Sequence, residues 1–82
     1  MSDTRTVIES LIREISGETE IDHSLDLFDS GMLTSVDSLD LLSGIESTFS
    51  ISIPDEELTV ENFGTIDSLA KLIDRVMNRA VE

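Results

Sequence analysis

Apolar residues in the middle of the chain recur at intervals of three and four positions, and this spacing constrains the fold more than any other feature. It places them on one broad stripe of an α-helix from Ser35 to Phe49 and fits no strand alternation. The stripe consists of Val36, Leu39, Leu41, Leu42, Ile45 and Phe49. Thr34 and Ser35 stand at its start, where a side-chain oxygen can accept from the first free backbone N–H groups. The segment therefore predicts an amphipathic helix that presents a hydroxyl at its N-terminus.

Two other segments carry the same periodicity. The first helix is predicted over Thr4–Ser16, with Ser2 or Asp3 as its cap and Gly17 as its stop. The last helix is predicted to begin after a capping Thr65. The apolar stripes of these two helices are Val7, Ile8, Leu11, Ile12 and Ile15, and Ile66, Leu69, Leu72, Ile73, Val76 and Met77.

The long connection from Glu18 to Thr34 contains apolar residues that can anchor it to the core. We expect Gly31 to supply a turn with positive φ. The anchors are Ile21, Leu25, Leu27, Phe28, Met32 and Leu33.

A short helix is predicted in the second connection, with Thr59 as its cap and Gly64 as its stop. Ile51 and Ile53 alternate with serines, but the run is too short for a sheet. Residues 1–82 therefore predict a single all-α domain. It is a four-helix bundle with three main helices, one short helix and a long first loop.

Charge is distributed unevenly along the chain. There are 18 acidic and 5 basic residues, with a formal net charge of −13. The basic residues are Arg5, Arg13, Lys71, Arg75 and Arg79. Residues 14–70 therefore carry fourteen acidic side chains and no lysine or arginine. This distribution argues against nucleic acid or an anionic membrane as a partner and favours basic protein surfaces.

The chain has no cysteine, so neither a disulfide nor a protein thiolate is available. No apolar run approaches the roughly 18 residues of a membrane span, and the N-terminus lacks a signal-peptide pattern. We expect a cytoplasmic monomer without membrane insertion.

A serine at a helix N-terminus suits a phosphoester, because the first N–H groups and the positive end of the helix dipole favour an anion there. The simpler interpretation is that Ser35 is only an N-cap, since serine caps are common.

The arrangement around Ser35 resembles the acyl carrier protein family, whose small helical members carry a 4′-phosphopantetheine arm on a serine. In that family Asp-Ser-Leu leads into an acidic amphipathic second helix, which is followed by a short apolar-polar alternation and Ile-Pro-Asp-Glu. Here the matching residues are Thr34-Ser35-Val36, the helix through Phe49, and Ile-Ser-Ile-Pro-Asp-Glu at 51–56. The resemblance covers nearly the whole chain. It implies a covalent arm on Ser35 that derives from coenzyme A.

A second serine, Ser38, lies in the string Asp37-Ser38-Leu39, which looks more like the family signature. Counted from Ser35, apolar residues fall at +4, +6, +7, +10 and +14, as in the family's second helix. Counted from Ser38, only +4 and +7 are apolar. The register therefore favours Ser35 and places Ser38 one turn inside the helix. Thr34 stands where the family usually has aspartate, which bears on the choice of transferase.

The resemblance also implies partners and a cargo. A phosphopantetheinyl transferase would install the arm, a ligase or acyltransferase would load it, and a third enzyme would accept the cargo. The docking positions that match the family are Val36, Asp37, Asp40 and Glu46. The run at 27–35 looks most like freestanding carriers of D-alanine, other amino acids and specialised metabolites. The protein itself would be non-catalytic.

Three other functions compete with a carrier. One is an unmodified interaction module that binds a basic partner through Asp37 and Asp40. Catalysis by a serine nucleophile with His23 as its base is disfavoured, because His23, the only histidine, lies in a loop rich in acids and the sequence shows no relay between it and a serine. A calcium loop is suggested by the spacing of Asp26, Ser30, Gly31 and Asp37. It is disfavoured because Phe28 occupies a ligand position.

Overall fold

Four helices surround one apolar core in the computed structural model, which describes residues 4–81 and their side chains through Asn78. They are α1 (Thr4–Ser16), α2 (Ser35–Phe49), α3 (Val60–Phe63) and α4 (Ile66–Val81). A 3₁₀ turn at Asp55–Glu57 precedes α3 and was not predicted. The described residues form no strand, so the all-α prediction with three main helices and one short helix is confirmed. Ser2 and Asp3, predicted as alternative caps of α1, lie outside the described residues.

The predicted stripes supply most of the core. α1 packs against α4 and α2, whereas α3 packs against α4. Burying each Leu or Ile side chain contributes about 1.5–3 kcal/mol. The buried apolar residues are Ile8, Ile12, Ile21, Leu27, Leu33, Leu41, Ile45, Ile53, Phe63, Ile66, Leu69, Ala70, Leu72, Ile73 and Val76.

Three members of the predicted stripes are exposed, and for these the core prediction was wrong. Val36 and Leu39 lie near the start of α2, and Met77 lies towards the end of α4. Periodicity indicates on which side of a helix a side chain lies. It does not indicate how far the neighbouring element extends along that side. Leu39 faces a cavity rather than another helix.

Backbone hydrogen bonds tie the long first loop to the end of α3 and to the start of α4. The Leu27 N–H donates to the Gly64 carbonyl at 2.7 Å, and the Asp67 N–H donates to the His23 carbonyl at 3.0 Å. Buried Ile21, Leu27 and Leu33 confirm the predicted anchoring. Gly31 has the predicted positive φ, at 81°.

The predicted helix ends are confirmed by local hydrogen bonds. At the end of α1, Gly17 has φ 82° and its N–H donates to the Arg13 carbonyl at 2.8 Å. Thr59 Oγ1 accepts from the Asn62 N–H at 3.1 Å. Thr65 Oγ1 likewise accepts from the Ser68 N–H at 3.0 Å.

Helix α2 ends on a strained residue, which gives a stability prediction. Ser50 adopts the left-handed conformation with φ 56° and ψ 46°, and its N–H donates to the Glu46 carbonyl. Glycine adopts this conformation without a Cβ penalty. We expect Ser50→Gly to raise the free energy of unfolding by about 1 kcal/mol, measured by urea titration. Ser47→Gly, within the same helix and exposed, is the control and should be slightly destabilising. No gain from Ser50→Gly would contradict the prediction.

Candidate attachment site at the start of helix α2

The N-terminus of α2 is held by a reciprocal pair of hydrogen bonds. Thr34 is the N-cap, with φ −103° and ψ 174°. Its Oγ1 accepts from the Asp37 N–H at 3.2 Å, and Asp37 Oδ2 accepts from the Thr34 N–H at 3.1 Å. This capping box satisfies two donors at once. The interpretation of Ser35 as only an N-cap is therefore wrong, because Thr34 provides the cap.

Ser35 occupies the first helical position and is exposed. Among the described residues, its hydroxyl makes no hydrogen bond, and the N–H groups of Ser35 and Val36 have no acceptor. These two donors lie at the positive end of the helix dipole, where an anion is favoured. A phosphoester on Ser35 Oγ fits this arrangement.

Thr34 caps α2 in the same way as an aspartate at that position would. Both side chains accept from the third helical N–H, and both are favoured caps. Replacing aspartate with threonine therefore keeps the helix start and removes one negative charge beside Ser35. Asp37 retains a carboxylate in the first turn.

A cavity of about 370 Å³ opens beside Ser35, between α2 and the segment that contains α3. Most of its lining is apolar, and three hydroxyls contribute the polar part. The lining residues are Phe28, Ser35, Ser38, Leu39, Leu42, Leu58, Thr59, Val60 and Phe63.

Ser38 lies one turn inside α2, as its register predicts. Its N–H donates to the Thr34 carbonyl at 3.0 Å, and its Oγ donates to the Ser35 carbonyl at 2.6 Å. The Ser38 hydroxyl is thus engaged with the backbone of the helix. The Ser35 hydroxyl is the more accessible of the two.

The four predicted docking residues have different surroundings. Val36 and Asp40 are exposed, and no hydrogen bond engages the Asp40 carboxylate within the described residues. Asp37 is part of the capping box. Glu46 Oε2 accepts from the Ile53 N–H at 2.8 Å and so ties the loop after α2 to the helix. Among the three acids, only Asp40 has no such structural role.

His23 and Asp26 of the first loop have structural partners. His23 Nε2 lies 2.8 Å from Glu9 Oε1 on α1. This hydrogen bond lowers the pKa of Glu9, so ionised Glu9 favours the folded state, a contribution that is lost as the pH falls through the lowered pKa. Asp26 Oδ1 accepts from the N–H groups of Phe28 and Asp29. The described residues contain no cluster of three acidic or histidine side chains that could hold a metal ion.

Comparison with known proteins identifies the family. A family model described as the phosphopantetheine attachment site matches residues 6–73. The chain belongs to this family. Its members are carrier proteins with a covalent phosphopantetheine group, so the predicted family and cofactor are confirmed.

Relatives of this carrier chain include two named for amino acids. Aminoacyl carrier protein 1 of Bradyrhizobium diazoefficiens is 32% identical over 67 residues, which cover 82% of this chain and 73% of that protein. The D-alanyl carrier protein of Streptococcus pyogenes serotype M5 is 30% identical over 78 residues, which cover 95% of this chain and 99% of that protein.

A solved structure shares the fold of this carrier. It is the crystal structure of a Bradyrhizobium japonicum glycine:[carrier protein] ligase with its cognate carrier protein and an analogue of glycyl adenylate. The TM-score is 0.82 at 26% identity, over 90% of this chain and 99% of the matched chain. In the described part of our carrier, no helix combines the length and apolarity that a membrane crossing requires.

Proposed function

We propose that Ser35 bears the phosphopantetheine arm and that the protein delivers an aminoacyl group between partner enzymes. The main support is the Ser35 hydroxyl, which is exposed at the first position of α2 beside two N–H groups without acceptors. Attachment forms a phosphodiester bond at Ser35 Oγ and breaks the phosphoanhydride bond of coenzyme A, and it releases the hydroxyl proton and adenosine 3′,5′-bisphosphate as the leaving group. The bound arm supplies a thiol that forms a thioester with the cargo.

The chain's own residues present the arm rather than carry out chemistry. Thr34 and Asp37 hold the helix start that orients Ser35. His23, the only histidine, is engaged with Glu9 and is not among the residues that line the cavity. We infer a non-catalytic role from this arrangement. The cytoplasmic location, the single domain and the monomeric state remain predictions.

An amino acid is the proposed cargo. The names of the two relatives and the ligase bound to the structural neighbour support it. The corresponding loading partner is an amino acid:[carrier protein] ligase.

A two-stage experiment tests this function against the unmodified interaction module. The apo protein is first incubated with coenzyme A and a broad-specificity phosphopantetheinyl transferase, and its intact mass is measured. We expect the mass of one arm to be added. The holo protein is then offered glycine or D-alanine with ATP and the corresponding ligase, and long-chain acyl groups in parallel. An unchanged mass in the first stage would favour the interaction module. Stabilisation and thioester shielding by a long acyl chain would instead favour a lipid cargo.

Asp40 gives a prediction for docking. We expect Asp40→Lys to lower the rate of modification by several-fold at low salt, because charges at the rim of an interface act chiefly on association. The loss should shrink as salt screens the charges. Asp74→Lys makes the same charge change on the exposed side of α4 and should have a much smaller effect. Equal rates of modification for the two variants would show that the transferase does not recognise Asp40.

Asp37 requires a milder substitution than Asp40. Lysine at position 37 would remove the acceptor for the Thr34 N–H and weaken the helix start. Asp37→Asn keeps an acceptor oxygen and removes the charge. A slower modification of this variant would then report on charge rather than on helix geometry.

A further inference from the structure

His23 connects the first loop to two helices at once. Its Nε2 lies 2.8 Å from Glu9 Oε1 of α1, and its carbonyl accepts from the Asp67 N–H at the start of α4 at 3.0 Å. Asp67 Oδ1 in turn accepts from Arg5 Nε of α1 at 2.6 Å. These four residues therefore join α1, the first loop and α4 at one polar junction, which lies outside the lining of the cavity beside Ser35.

The two side-chain contacts of this junction differ in their exposure to water. The Glu9 and His23 side chains are 19% and 36% exposed, whereas those of Asp67 and Arg5 are 43% and 47% exposed. Exposed ion pairs stabilise little because water screens them, while a carboxylate shielded from water forms a stronger hydrogen bond. The contact between Glu9 and His23 is therefore the stronger side-chain contact of the junction.

The segment that follows this junction reaches the attachment site. We call residues 24–33 the strap, which begins after His23 and ends before the cap of α2. Within it Leu27 and Leu33 are buried, and the Leu33 N–H donates to the Leu27 carbonyl at 2.9 Å. Phe28 of the strap lines the cavity at the attachment site. A change in the position of the strap would therefore change the shape of the cavity.

The strap has few backbone contacts with the rest of the molecule. Among the described residues, the one backbone hydrogen bond that joins it to another element runs from the Leu27 N–H to the Gly64 carbonyl, at 2.7 Å. The main helices pack on each other without the strap, since α1 contacts both α4 and α2. Segments with few such bonds can open locally while the rest of the fold persists.

We propose that the strap opens and closes as one unit beside the cavity, and that the contact between Glu9 and His23 is the latch that keeps it closed. Opening moves Phe28 out of the cavity lining, so the open form accepts a larger apolar group than the closed form. The closed form predominates, because opening exposes Leu27 and Leu33 to water. This device goes beyond the carrier function, since it depends neither on attachment of an arm nor on the identity of a cargo.

Amide hydrogen exchange of the apo protein tests whether the strap is a unit. The N–H groups of Leu27 and Leu33 should exchange with one common opening free energy that depends only weakly on urea. The N–H groups of Ile12 and Ile73, in the interiors of α1 and α4, should exchange more slowly and with the steeper urea dependence of global unfolding. If all four groups exchanged only through global unfolding, the strap would not be a separate unit and the proposal would be overturned.

The latch is tested by removing either of its two side chains. Glu9→Ala should speed exchange of the strap N–H groups about tenfold, since it removes a hydrogen bond to a charged group. His23→Ala should have the same effect, and the double variant should add little, because the two residues act through one contact. Glu14→Ala removes an exposed carboxylate from the same helix and is the matched control, with exchange at the wild-type rate. Equal effects of Glu9→Ala and Glu14→Ala would refute the latch.

A neutral apolar dye, N-phenyl-1-naphthylamine, reports on the cavity itself. A dye that binds chiefly to the open form gains apparent affinity in proportion to the population of that form. Glu9→Ala should therefore bind the dye about tenfold more tightly than the wild type, the same factor as in hydrogen exchange, and Glu14→Ala should match the wild type. Far-UV circular dichroism establishes that both variants keep their helices. Faster exchange without tighter dye binding would show that opening of the strap does not enlarge the cavity.

Discussion

The Ser35→Ala variant should gain no mass with coenzyme A and transferase and should accept no cargo afterwards. Ser35 presents a hydroxyl at the first position of α2 that no described group engages. Thr34 Oγ1 accepts from the Asp37 N–H, and Ser38 Oγ donates to the Ser35 carbonyl. Neither of these two hydroxyls is therefore placed to accept the arm instead of Ser35. Intact-mass measurement after the transferase reaction checks the loss.

The same variant should remain folded, which separates loss of attachment from loss of structure. Since Thr34 rather than Ser35 is the cap, the change should cost less than the roughly 1 kcal/mol typical of a lost N-cap. Ser38→Ala is the matched control on the same helix and should be modified normally. Mass addition to Ser35→Ala but not to Ser38→Ala would show that Asp37-Ser38-Leu39 is the true signature.

Gly64→Ala is expected to be among the most destabilising single substitutions outside the core. A Cβ at this position would lie 2.7 Å from the Val60 carbonyl oxygen, a backbone atom that cannot move away alone. The Gly64 carbonyl also accepts from the Leu27 N–H at 2.7 Å, so a shift of Gly64 would disturb the first loop. We expect a loss of about 1–3 kcal/mol in the free energy of unfolding, as for other overpacked sites. In a domain of this size each kcal/mol corresponds to about 4–8 °C in Tm.

Gly44→Ala is the control for Gly64→Ala, because it adds the same methyl group in a different setting. Its Cβ would meet Leu11 Cδ2 at 3.2 Å, and a leucine side chain can adjust by a few tenths of an ångström. Alanine also favours a helix by about 1 kcal/mol over glycine. Gly44→Ala should therefore stay within about 1 kcal/mol of the wild type. Equal destabilisation of the two variants would show that the contact with the Val60 carbonyl oxygen is not what destabilises Gly64→Ala.

Helix bounds and the register of Ser35 were predictable because they depend on residues within one or two turns of each other. The predicted range Thr4–Ser16 is α1, and α2 begins at Ser35, as the apolar spacing indicates. Caps such as Thr59 and Thr65 act on N–H groups three positions away. Such local signals act in the same way whatever the helix packs against.

The exposure of side chains and the lining of the cavity beside Ser35 depend instead on contacts between distant segments. Leu39 has a position typical of a core residue, yet it is exposed at the cavity because no helix covers that part of α2. Glu46 was predicted only as a docking residue, but its carboxylate accepts from Ile53 N–H, seven positions away. Glu57 meets Arg75 across 18 positions. Periodicity carries no information about such pairs, because which faces meet, and how far a neighbour extends, is settled only when the helices pack.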